Sequence, residues 1–251
     1  MAGRARSAPR THGRHFLRSR RLAETIVADA GIGPADLVVD VGAGTGVLTR
    51  ELARRARAVW AVELDPSLAA ALARSAAPNV RVLEADATRL RWPDGPFKVV
   101  ANLPFNRTTA ILRGLLDDPR VPLASAELVV QWELAAKRAA VWPSTLAGAY
   151  WGAWYRFALI RRLPACAFGP EPDVDAGVLR IERRDPPLVP AEEHNAYRAF
   201  VRRGFARSRP EVPPLAFKRL GRELGFAPDA RARDLDARHW AALYAARRGQ
   251  P

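Results

Sequence analysis

The chain has 251 residues, 49% of them hydrophobic, which is enough to build a sizeable core. It carries 40 Lys and Arg against 26 Asp and Glu, and the resulting net charge of +14 indicates a phosphate-rich partner. A single cysteine, Cys166, leaves no disulfide framework and no cysteine metal cluster, the 4 histidines lack metal-ligand spacing, and no apolar stretch approaches the ~20 residues of a membrane span. We therefore expect a cytoplasmic protein without a bound metal.

Residues 1–20 are predicted to form a basic N-terminal arm. The stretch from Arg4 to Arg21 is rich in arginine and contains no acidic residue, a composition that is also found in transit peptides. Phe16 and Leu17, however, begin an apolar pattern that continues into the fold. We therefore favour an arm that contacts the phosphate-rich partner over a removable targeting segment.

A strand, a glycine-rich turn and a helix follow one another closely. The apolar run Leu37–Val41, which contains Asp40, leads into Gly42-Ala43-Gly44-Thr45-Gly46 and then into a helical pattern. A dinucleotide fingerprint would need its third glycine at position 47, and a P-loop would need a Lys followed by Ser or Thr, so both are disfavoured. The spacing matches the Gly-x-Gly-x-Gly turn of S-adenosylmethionine enzymes, in which glycine lets the backbone approach the methionine moiety.

Two further predicted strands each end in a carboxylate. Ala58–Glu63 places Glu63 about twenty residues after the glycines, where an acid can accept hydrogen bonds from both ribose hydroxyls of the cofactor. Asp65 comes two residues later, but a proline opens a helix directly after it, so we predict that Asp65 caps that helix. The next strand, at 80–86, ends in Asp86, which is placed to accept from the adenine amino group.

Asn102-Leu103-Pro104-Phe105 follows a predicted strand at 97–101 and is the most informative motif. An exocyclic amine on an aromatic base is a poor nucleophile because its lone pair is delocalised into the ring. The carboxamide oxygen of Asn102 and a nearby backbone carbonyl can accept the two amine hydrogens and so localise that lone pair. Pro104 stiffens the turn, and Phe105 offers a flat face for the base, worth about 1–3 kcal/mol. The motif predicts methylation of a base amine.

Strand and helix patterns continue to alternate up to residue 184. They predict a helix at 110–116, a strand at 126–131, a helix at 133–140 and two late strands at 155–163 and 178–183. Two such strands are typical of an antiparallel edge on a mostly parallel sheet. The predicted fold class is α/β: a Rossmann-like sheet of seven mostly parallel strands with helices on both faces, forming a catalytic domain at 21–184.

A charged segment with two prolines, from Arg183 to Pro187, interrupts this pattern. Beyond it, residues 188–251 are predicted to form a small all-helical domain because apolar residues recur at helical spacing. These apolar residues are Tyr197, Phe200, Val201, Phe205, Leu215, Leu220, Leu224, Leu235, Trp240, Leu243 and Tyr244. The first of these helices carries four arginines with few acids to pair, which predicts a surface for a phosphate backbone. The four are Arg198, Arg202, Arg203 and Arg207.

Taken in order, these motifs resemble the Erm and KsgA families of rRNA adenine N6-methyltransferases. The resemblance covers almost the whole chain, including the helical C-terminal region. It rests on Gly13–Leu17, the turn Asp40–Gly46, Glu63, Asp86, Asn102–Phe105, Gln131-Trp132-Glu133 and the Phe168–Val174 loop. One departure is that Arg14-His15 replaces the families' Gln-Asn. This leaves two roles open for His15, a polar contact near the cofactor or simple packing beside the arm.

The resemblance implies S-adenosylmethionine as the methyl donor and rRNA as the partner. It implies a catalytic group in which Phe168 flanks a flipped adenine opposite Phe105. That group is Asn102, Leu103, Pro104, Phe105 and Phe168. Cofactor contacts are implied for His15, Leu17, Gly42, Ala43, Gly44, Gly46, Glu63, Leu64, Asp86, Ala87 and Asn102. We assign RNA contacts to Arg14, Arg18, Arg198, Arg202, Arg203 and Arg207.

The arginine-rich tail and the pattern Phe205-Ala-Arg-Ser-Arg209 favour the Erm branch. That branch implies a monomeric enzyme that methylates one adenine in the peptidyl-transferase loop of 23S rRNA before ribosome assembly is complete. The implied consequence is resistance to macrolides, lincosamides and type B streptogramins. The alternatives are a small-subunit rRNA dimethyltransferase and a non-catalytic RNA-binding or assembly protein of the same fold. Leu103 argues against DNA adenine and protein-glutamine methyltransferases, and the number of methyl groups added stays open.

Overall fold

The computed structural model describes residues 15–248, so the predictions for Gly13 and Arg14 lie outside the described residues. The strands are β1 (Phe16–Leu17), β2 (Leu37–Val41), β3 (Ala58–Glu63), β4 (Val80–Glu84), β5 (Phe97–Asn102), β6 (Leu123–Gln131), β7 (Tyr155–Leu163), β8 (Phe168–Gly169) and β9 (Ala176–Arg183). The helices are α1 (Arg20–Asp29), α2 (Val47–Ala53), α3 (Pro66–Arg74), α4 (Thr108–Leu116), α5 (Trp132–Ala139), α6 (Leu146–Trp151), α7 (His194–Ala206), α8 (Pro214–Leu224) and α9 (Ala237–Arg248).

A seven-stranded sheet with the order β4-β3-β2-β5-β6-β9-β7 forms the centre of the protein. Strands β2 to β6 pair in parallel, whereas β9 pairs antiparallel with both β6 and β7. The predicted sheet, mostly parallel with an antiparallel edge, is confirmed. The strand order reverses between β2 and β5, and in such sheets the crevice beyond the carboxyl ends of these strands is the usual ligand site.

The central strand β2 is buried on both faces. Successive side chains of a strand point to opposite faces, so β2 contributes to two apolar layers. Val39 and Val41 join the buried cluster that includes Ile111 of α4, while Val38 joins the cluster that includes residues of α1 and α2. A strand covered on both faces is expected to be apolar almost throughout, and here Asp40 is the exception.

The first described residues are tied to a distant loop. β1 pairs antiparallel with β8, so that Phe16 lies opposite Gly169 and Leu17 opposite Phe168. Directly after β1, the Ser19 side chain accepts a hydrogen bond from Leu22 N and caps α1. The end of the predicted arm is therefore held against the loop that begins at Phe168.

The helical C-terminal portion is present and packs on the same core as the sheet. One buried cluster contains residues of β2, β5 and β6 together with Tyr197, Phe200, Trp240 and Tyr244. The boundaries predicted at 21–184 and 188–251 stay a prediction. None of the helices between residues 15 and 248 is long and apolar enough to cross a membrane.

Helix α8 corrects two apolar positions. Its buried face consists of Phe217, Leu220 and Gly221, whereas Leu215 is 83% exposed and Leu224 is 40% exposed. The expectation that Leu215 and Leu224 belong to the buried apolar face is wrong, because Leu215 lies in the first turn of α8 and Leu224 is its last residue.

Candidate active site

A cavity of about 260 Å³, here called the main cavity, lies at the carboxyl ends of β2, β3, β4 and β5. It is lined by His15, Phe16, Val41, Gly42, Val62, Glu63, Leu64, Leu68, Ala85, Asp86, Ala87, Thr88, Asn102, Leu103, Pro104, Phe105, Asn106, Arg107 and Ile111. The glycine turn, the two strand-end acids and the Asn-Leu-Pro-Phe motif, which are far apart in the sequence, therefore meet at one place.

The glycine turn has a conformation that other residues disfavour. Gly42 and Gly44 have φ angles of 74° and 53°. The N–H of Gly44 donates to Glu63 Oε2 at 2.8 Å. A Cβ atom on Gly44 would lie 2.6 Å from Cε1 of Phe16, so the Phe16 ring packs directly on the turn. Glycine at position 44 is thus required both by its backbone angle and by a neighbouring ring.

Glu63 is buried, and two backbone N–H groups donate hydrogen bonds to its carboxylate. Oε2 accepts from Gly44, and Oε1 accepts from the N–H of Asp65 at 2.9 Å. A carboxylate offers about four acceptor positions, so each oxygen retains one for a ligand. Asp65 itself accepts from the N–H groups of Ser67 and Leu68 at 2.8 and 3.1 Å. The prediction that Asp65 caps α3 is confirmed.

Asp86 is held in its ionised form at the mouth of the main cavity. Its Oδ1 accepts from the N–H and the hydroxyl of Thr88 at 2.9 and 2.8 Å, and its Oδ2 lies 3.8 Å from Nη1 of Arg107. The two hydrogen bonds from Thr88, supported by the charge of Arg107, hold the pKa of Asp86 below its usual range. Oδ2 therefore remains a charged acceptor at neutral pH.

The side-chain nitrogen of Asn102 has a hydrogen-bond partner, whereas its side-chain oxygen has none among the described residues. Its Nδ2 donates to the backbone oxygen of His15 at 2.6 Å. Its Oδ1 is buried and has no hydrogen-bond partner among the described residues. A buried acceptor without a partner costs free energy and requires an explanation, and a donor supplied by a ligand is one.

Phe105 lies between two other aromatic rings. The His15 ring is 5.3 Å away at 39°, and the Phe168 ring is 6.3 Å away, edge-on at 68°. Nδ1–H of His15 donates to the backbone oxygen of Pro170 at 2.8 Å, so His15 bridges the Phe168 loop and Phe105. His15 thus has a polar contact with the Phe168 loop and also packs against a ring. Its predicted contact with the cofactor stays a prediction.

Asp40 is buried beneath the glycine turn. Its Oδ2 accepts from the Thr49 hydroxyl at 2.6 Å, a contact that joins β2 to α2. Burial raises the pKa of Asp40 to about 7, against the lowering effect of the hydrogen bond from Thr49, and the nearby charge of Glu63 raises it further.

The predicted cofactor residues fall into two groups. Those that line the main cavity are His15, Gly42, Glu63, Leu64, Asp86, Ala87 and Asn102. Leu17, Ala43, Gly44 and Gly46 lie behind it: Leu17 is in the apolar core, Ala43 N donates to Val62 O, and Gly46 precedes α2. Their contacts with the cofactor stay a prediction.

The predicted catalytic residues are also divided. Asn102, Leu103, Pro104 and Phe105 line the main cavity, whereas Phe168 is fully buried and does not. Sequence reasoning missed Phe16 and Arg107, which do line it. Phe16 was visible only as an apolar residue, and nothing local in the sequence signals that Arg107 approaches Asp86.

Three of the predicted RNA-binding arginines have acidic partners. Nη2 of Arg198 lies 2.9 Å from Asp117 Oδ2. Arg203 pairs with Glu211 at 3.1 Å, and Arg207 pairs with the same carboxylate. The expectation that these arginines have few acids to pair is wrong, because both acids, Asp117 and Glu211, come from outside α7. Their RNA contacts stay a prediction, as do those of Arg18 and of the exposed Arg202.

The residues present fit S-adenosylmethionine. Glu63 offers acceptor positions for a ribose diol, Asp86 offers one for an adenine amine, and Gly42 lets the backbone approach closely. The unpaired Asn102 Oδ1 lies beside them. Within residues 15–248, no group of three or more His, Cys, Asp or Glu residues is placed to hold a metal ion.

The sheet order and the groups at its carboxyl ends define a Rossmann-like methyltransferase fold. The model of the family described as ribosomal RNA adenine dimethylase matches residues 6–214. The chain is 37% identical over 240 residues to the mycinamicin-resistance protein MyrB of Micromonospora griseorubida, covering 92% of this chain and 76% of that protein. It is 34% identical over 253 residues to the ribosomal RNA small subunit methyltransferase A of a Synechococcus strain, covering 92% and 89%.

The structure also superposes on the crystal structure of the 23S rRNA methyltransferase ErmE. The TM-score is 0.80 at 28% identity, and the match covers 93% of this chain and 99% of that one. The chain therefore belongs to the ribosomal RNA adenine dimethylase family and is an S-adenosylmethionine-dependent rRNA adenine N6-methyltransferase.

Proposed function

We propose that this enzyme, acting as a cytoplasmic monomer, methylates N6 of one adenine in the peptidyl-transferase loop of 23S rRNA before ribosome assembly is complete. Macrolides, lincosamides and type B streptogramins then lose a hydrogen-bonding partner on the RNA and meet added bulk, so the cell becomes resistant. Two relatives support this target: one is a 23S rRNA methyltransferase and the other a mycinamicin-resistance protein. The observation that carries the chemistry is the buried Oδ1 of Asn102 without a partner.

Asn102 and Leu103 localise the lone pair of the target amine. Because Nδ2 of Asn102 is held by the His15 carbonyl, Oδ1 is left to accept one N6–H. The backbone carbonyl of Leu103 accepts the other. The N–H of Leu103 donates to Val129 O at 3.1 Å, so the sheet fixes the peptide that precedes this carbonyl. Two fixed acceptors favour a pyramidal, nucleophilic nitrogen.

The turn that carries Phe105 is closed by further hydrogen bonds. The Pro104 carbonyl accepts from the N–H of Arg107 at 2.9 Å and from the Thr108 hydroxyl at 3.1 Å. Phe105 is thereby held where an adenine removed from its stack can lie on it. Fixed orientation of the reactants contributes up to about 7–11 kcal/mol in favourable cases.

S-adenosylmethionine, when bound, supplies an electrophilic methyl group on a sulfonium. Glu63 would hold the ribose hydroxyls of this cofactor, and Asp86 would hold its adenine amino group. The Phe16 ring packs on the glycine turn. The target amine becomes acidic only after it has attacked the methyl group, so the transfer needs no strong general base.

The test incubates the purified protein and labelled S-adenosylmethionine with protein-free 23S rRNA in one reaction and with protein-free 16S rRNA in another. The labelled nucleotide is then mapped by mass spectrometry. We expect methyl-adenine in the 23S peptidyl-transferase loop, and the same spectrum counts the methyl groups. Label confined to 16S rRNA contradicts the proposal, and so does the absence of label when calorimetry shows that the cofactor binds.

A second candidate is dimethylation of small-subunit rRNA. It is favoured by the 34% identity to a small subunit methyltransferase, which extends over 92% of this chain. The same experiment separates the two candidates, because each predicts a different labelled rRNA.

A further inference from the structure

A second cavity, of about 310 Å³, is lined by arginines from four parts of the fold. Arg138 is near the end of α5, Arg156 is in β7, Arg184 follows β9, and Arg238 is in the first turn of α9. We call it the arginine cavity. It contains none of the residues that line the main cavity.

The arginine cavity and the main cavity lie at opposite ends of the strands of the sheet. Asn102 aligns with Val129 on β6, and Val129 aligns with Val178 on β9. Because β9 runs antiparallel to β6, the chain leaves β9 at the end of the sheet opposite the main cavity. There Arg184 N donates to Trp154 O at 2.7 Å. Six residues of strand separate Val178 from Arg184, a distance of about 20 Å. An adenine in the main cavity therefore does not reach the arginine cavity.

The charges of the arginine cavity are not balanced. Its charged lining is four arginines and Asp236, a net charge of +3. Oδ1 of Asp236 is already engaged, because it accepts from the N–H of His239 at 2.9 Å. Burial, reinforced by the charges of Arg156 and Arg238, lowers the pKa of the Arg184 guanidinium. An oxyanion would relieve this repulsion.

Two of the four guanidinium groups are held by contacts with the fold. Nε of Arg184 donates to Gly152 O at 2.8 Å, which anchors that edge of the group. Arg138 lies over the Trp151 ring, 5.1 Å from its centre, and its Nε is buried with no hydrogen-bond partner among the described residues. Planar guanidinium forks with unused N–H donors match the oxygens of a phosphate.

An exposed aromatic residue directly follows the lining of the arginine cavity in the sequence and itself lines another cavity. Val141 lines the arginine cavity, and the next residue, Trp142, is 58% exposed. Trp142 Nε1–H donates to Asp234 O at 3.3 Å, and Ser144 N donates to Arg233 O at 2.8 Å, so this connection is held against the segment before α9. A basic groove beside an exposed aromatic ring is the arrangement by which proteins bind single-stranded nucleic acid.

We propose that the arginine cavity binds a backbone phosphate of the rRNA outside the target loop, and that Trp142 stacks on a neighbouring unpaired base. This inference rests on the proposed rRNA substrate. A second contact about 20 Å from the reacting adenine should make the enzyme bind a long rRNA fragment more tightly than the isolated target loop.

The first test compares two double variants of equal charge. Arg156→Gln with Arg238→Gln removes two arginines of the cavity. Arg55→Gln with Arg74→Gln removes two exposed arginines at the β3 and β4 side of the sheet, far from β7. Binding is measured against a 23S rRNA domain fragment and against a short hairpin that carries only the target loop, over a range of salt concentrations.

We expect the cavity variant to bind the long fragment about tenfold or more weakly, with a salt slope reduced by about 0.7 for one lost single-strand phosphate contact. Its binding to the hairpin and its affinity for S-adenosylmethionine should match those of the parent. The control pair should change binding to the long fragment less than about twofold. Equal losses in the two double variants, or equal losses on hairpin and long fragment, would overturn the proposal.

The second test concerns Trp142. Trp142→Leu should weaken binding to the long fragment about fivefold or more, and Trp142→Phe should restore most of it because only an aromatic ring stacks on a base. Equal binding by the Leu and Phe variants contradicts stacking. Titration with inorganic phosphate distinguishes a site for free phosphate from a site for an RNA phosphate. If the protein binds inorganic phosphate tightly and its RNA binding stays unchanged, the assignment to rRNA is overturned.

These outcomes are separable from failure of the proposed function. If the parent protein methylates neither 23S nor 16S rRNA, the proposed function fails. The binding comparison between the two double variants still decides whether the arginine cavity contacts RNA.

Discussion

Asn102 is oriented by a backbone atom and not by another side chain. The His15 carbonyl accepts from its Nδ2, a contact that any residue at position 15 could provide. Replacement of the families' Asn by His15 therefore preserves this contact. The imidazole adds the hydrogen bond to Pro170 and the contact with Phe105.

Asn102→Ala should lower the rate of methyl transfer by about 100-fold or more, because loss of the acceptor misplaces the amine lone pair. The affinity for S-adenosylmethionine should fall by at most about tenfold, the effect of one hydrogen bond. Single-turnover kinetics and calorimetry measure the two quantities. Asn195→Ala, at an exposed position in α7, is the control. A loss of cofactor affinity as large as the loss of rate would contradict the assigned role.

Gly44→Ala should weaken cofactor binding about tenfold or more, because the new Cβ would lie 2.6 Å from the Phe16 ring that packs on the turn. Gly31→Ala is a matched control: Gly31 also has a left-handed φ, of 60°, but has no atom within 4 Å of the added Cβ. Both variants should lose about 1–2 kcal/mol of stability from backbone strain. Calorimetry should detect weaker cofactor binding only in the first variant, and equal affinities would show that the Phe16 contact is unimportant.

At the scale of elements, the Asp40–Thr49 hydrogen bond couples β2 to α2, and the burial of Asp40 gives stability a pH dependence. The folded pKa of about 7 lies above the ordinary value of 3.8, so between these values the folded state binds a proton that the unfolded state does not. This contribution to stability is complete below about pH 4 and is lost as the pH rises to about 7.

Asp40→Asn should remove that pH dependence. The difference in free energy of unfolding between parent and variant should fall by up to about 1.4 kcal/mol per pH unit between pH 4 and 7 and stay level above that range. Urea unfolding across the pH range measures it. Thr49→Val removes the donor that lowers the pKa of Asp40, so it should extend the window to higher pH. Parallel pH profiles for all three proteins would contradict the assignment.

Helix α7 carries arginines of two kinds. Glu211 lies within 4 Å of Arg203, Arg207 and Arg247, so its single negative charge offsets one of their three positive charges. Arg202 is exposed on the same helix. The charge that is available to RNA is therefore smaller than the sequence indicates.

Arg202→Gln should weaken rRNA binding and reduce the salt slope by about 0.7–0.9, the effect of one phosphate contact. Arg203→Gln should change the slope less, because Arg203 is already paired with Glu211. Filter binding at several salt concentrations measures both. An Arg203 effect equal to or larger than the Arg202 effect would show that the ion pair opens when RNA binds.

At the scale of the whole molecule, the C-terminal helices and the sheet share one core. Tyr197 of α7 donates its hydroxyl hydrogen to Ala149 O at 3.0 Å, and its ring lies 5.6 Å from Trp154 and 5.2 Å from Tyr244. This cluster joins the connection between α6 and β7 to α7 and α9. We therefore expect the sheet and the C-terminal helices to unfold together.

Tyr197→Ala should lower the free energy of unfolding by about 3–5 kcal/mol, the cost of emptying an aromatic core site. Far-UV and near-UV circular dichroism should report one shared transition. Leu215→Ala, at a residue that is 83% exposed, should change stability by less than about 0.5 kcal/mol. Two separate transitions, with only one shifted in Tyr197→Ala, would instead support independent domains.

Local patterns were sufficient to predict most elements. Alternating apolar runs, the spacing of Gly42, Gly44 and Gly46, and the helix start after Asp65 depend on residues close together in the chain, so the sequence determined the sheet, the turn and the strand-end positions of Glu63 and Asp86. The Asn-Leu-Pro-Phe motif likewise indicated chemistry on a base amine.

Only the tertiary structure decided which of these groups face one another. The pairing of β1 with β8, the orientation of Asn102 by His15, the approach of Arg107 to Asp86 and the ion pair of Arg198 with Asp117 all join residues that the sequence separates. The arginine cavity arises in the same way. Hydrogen bonds and charge interactions depend on distances in space, and these are fixed only when the sheet brings its strands into register.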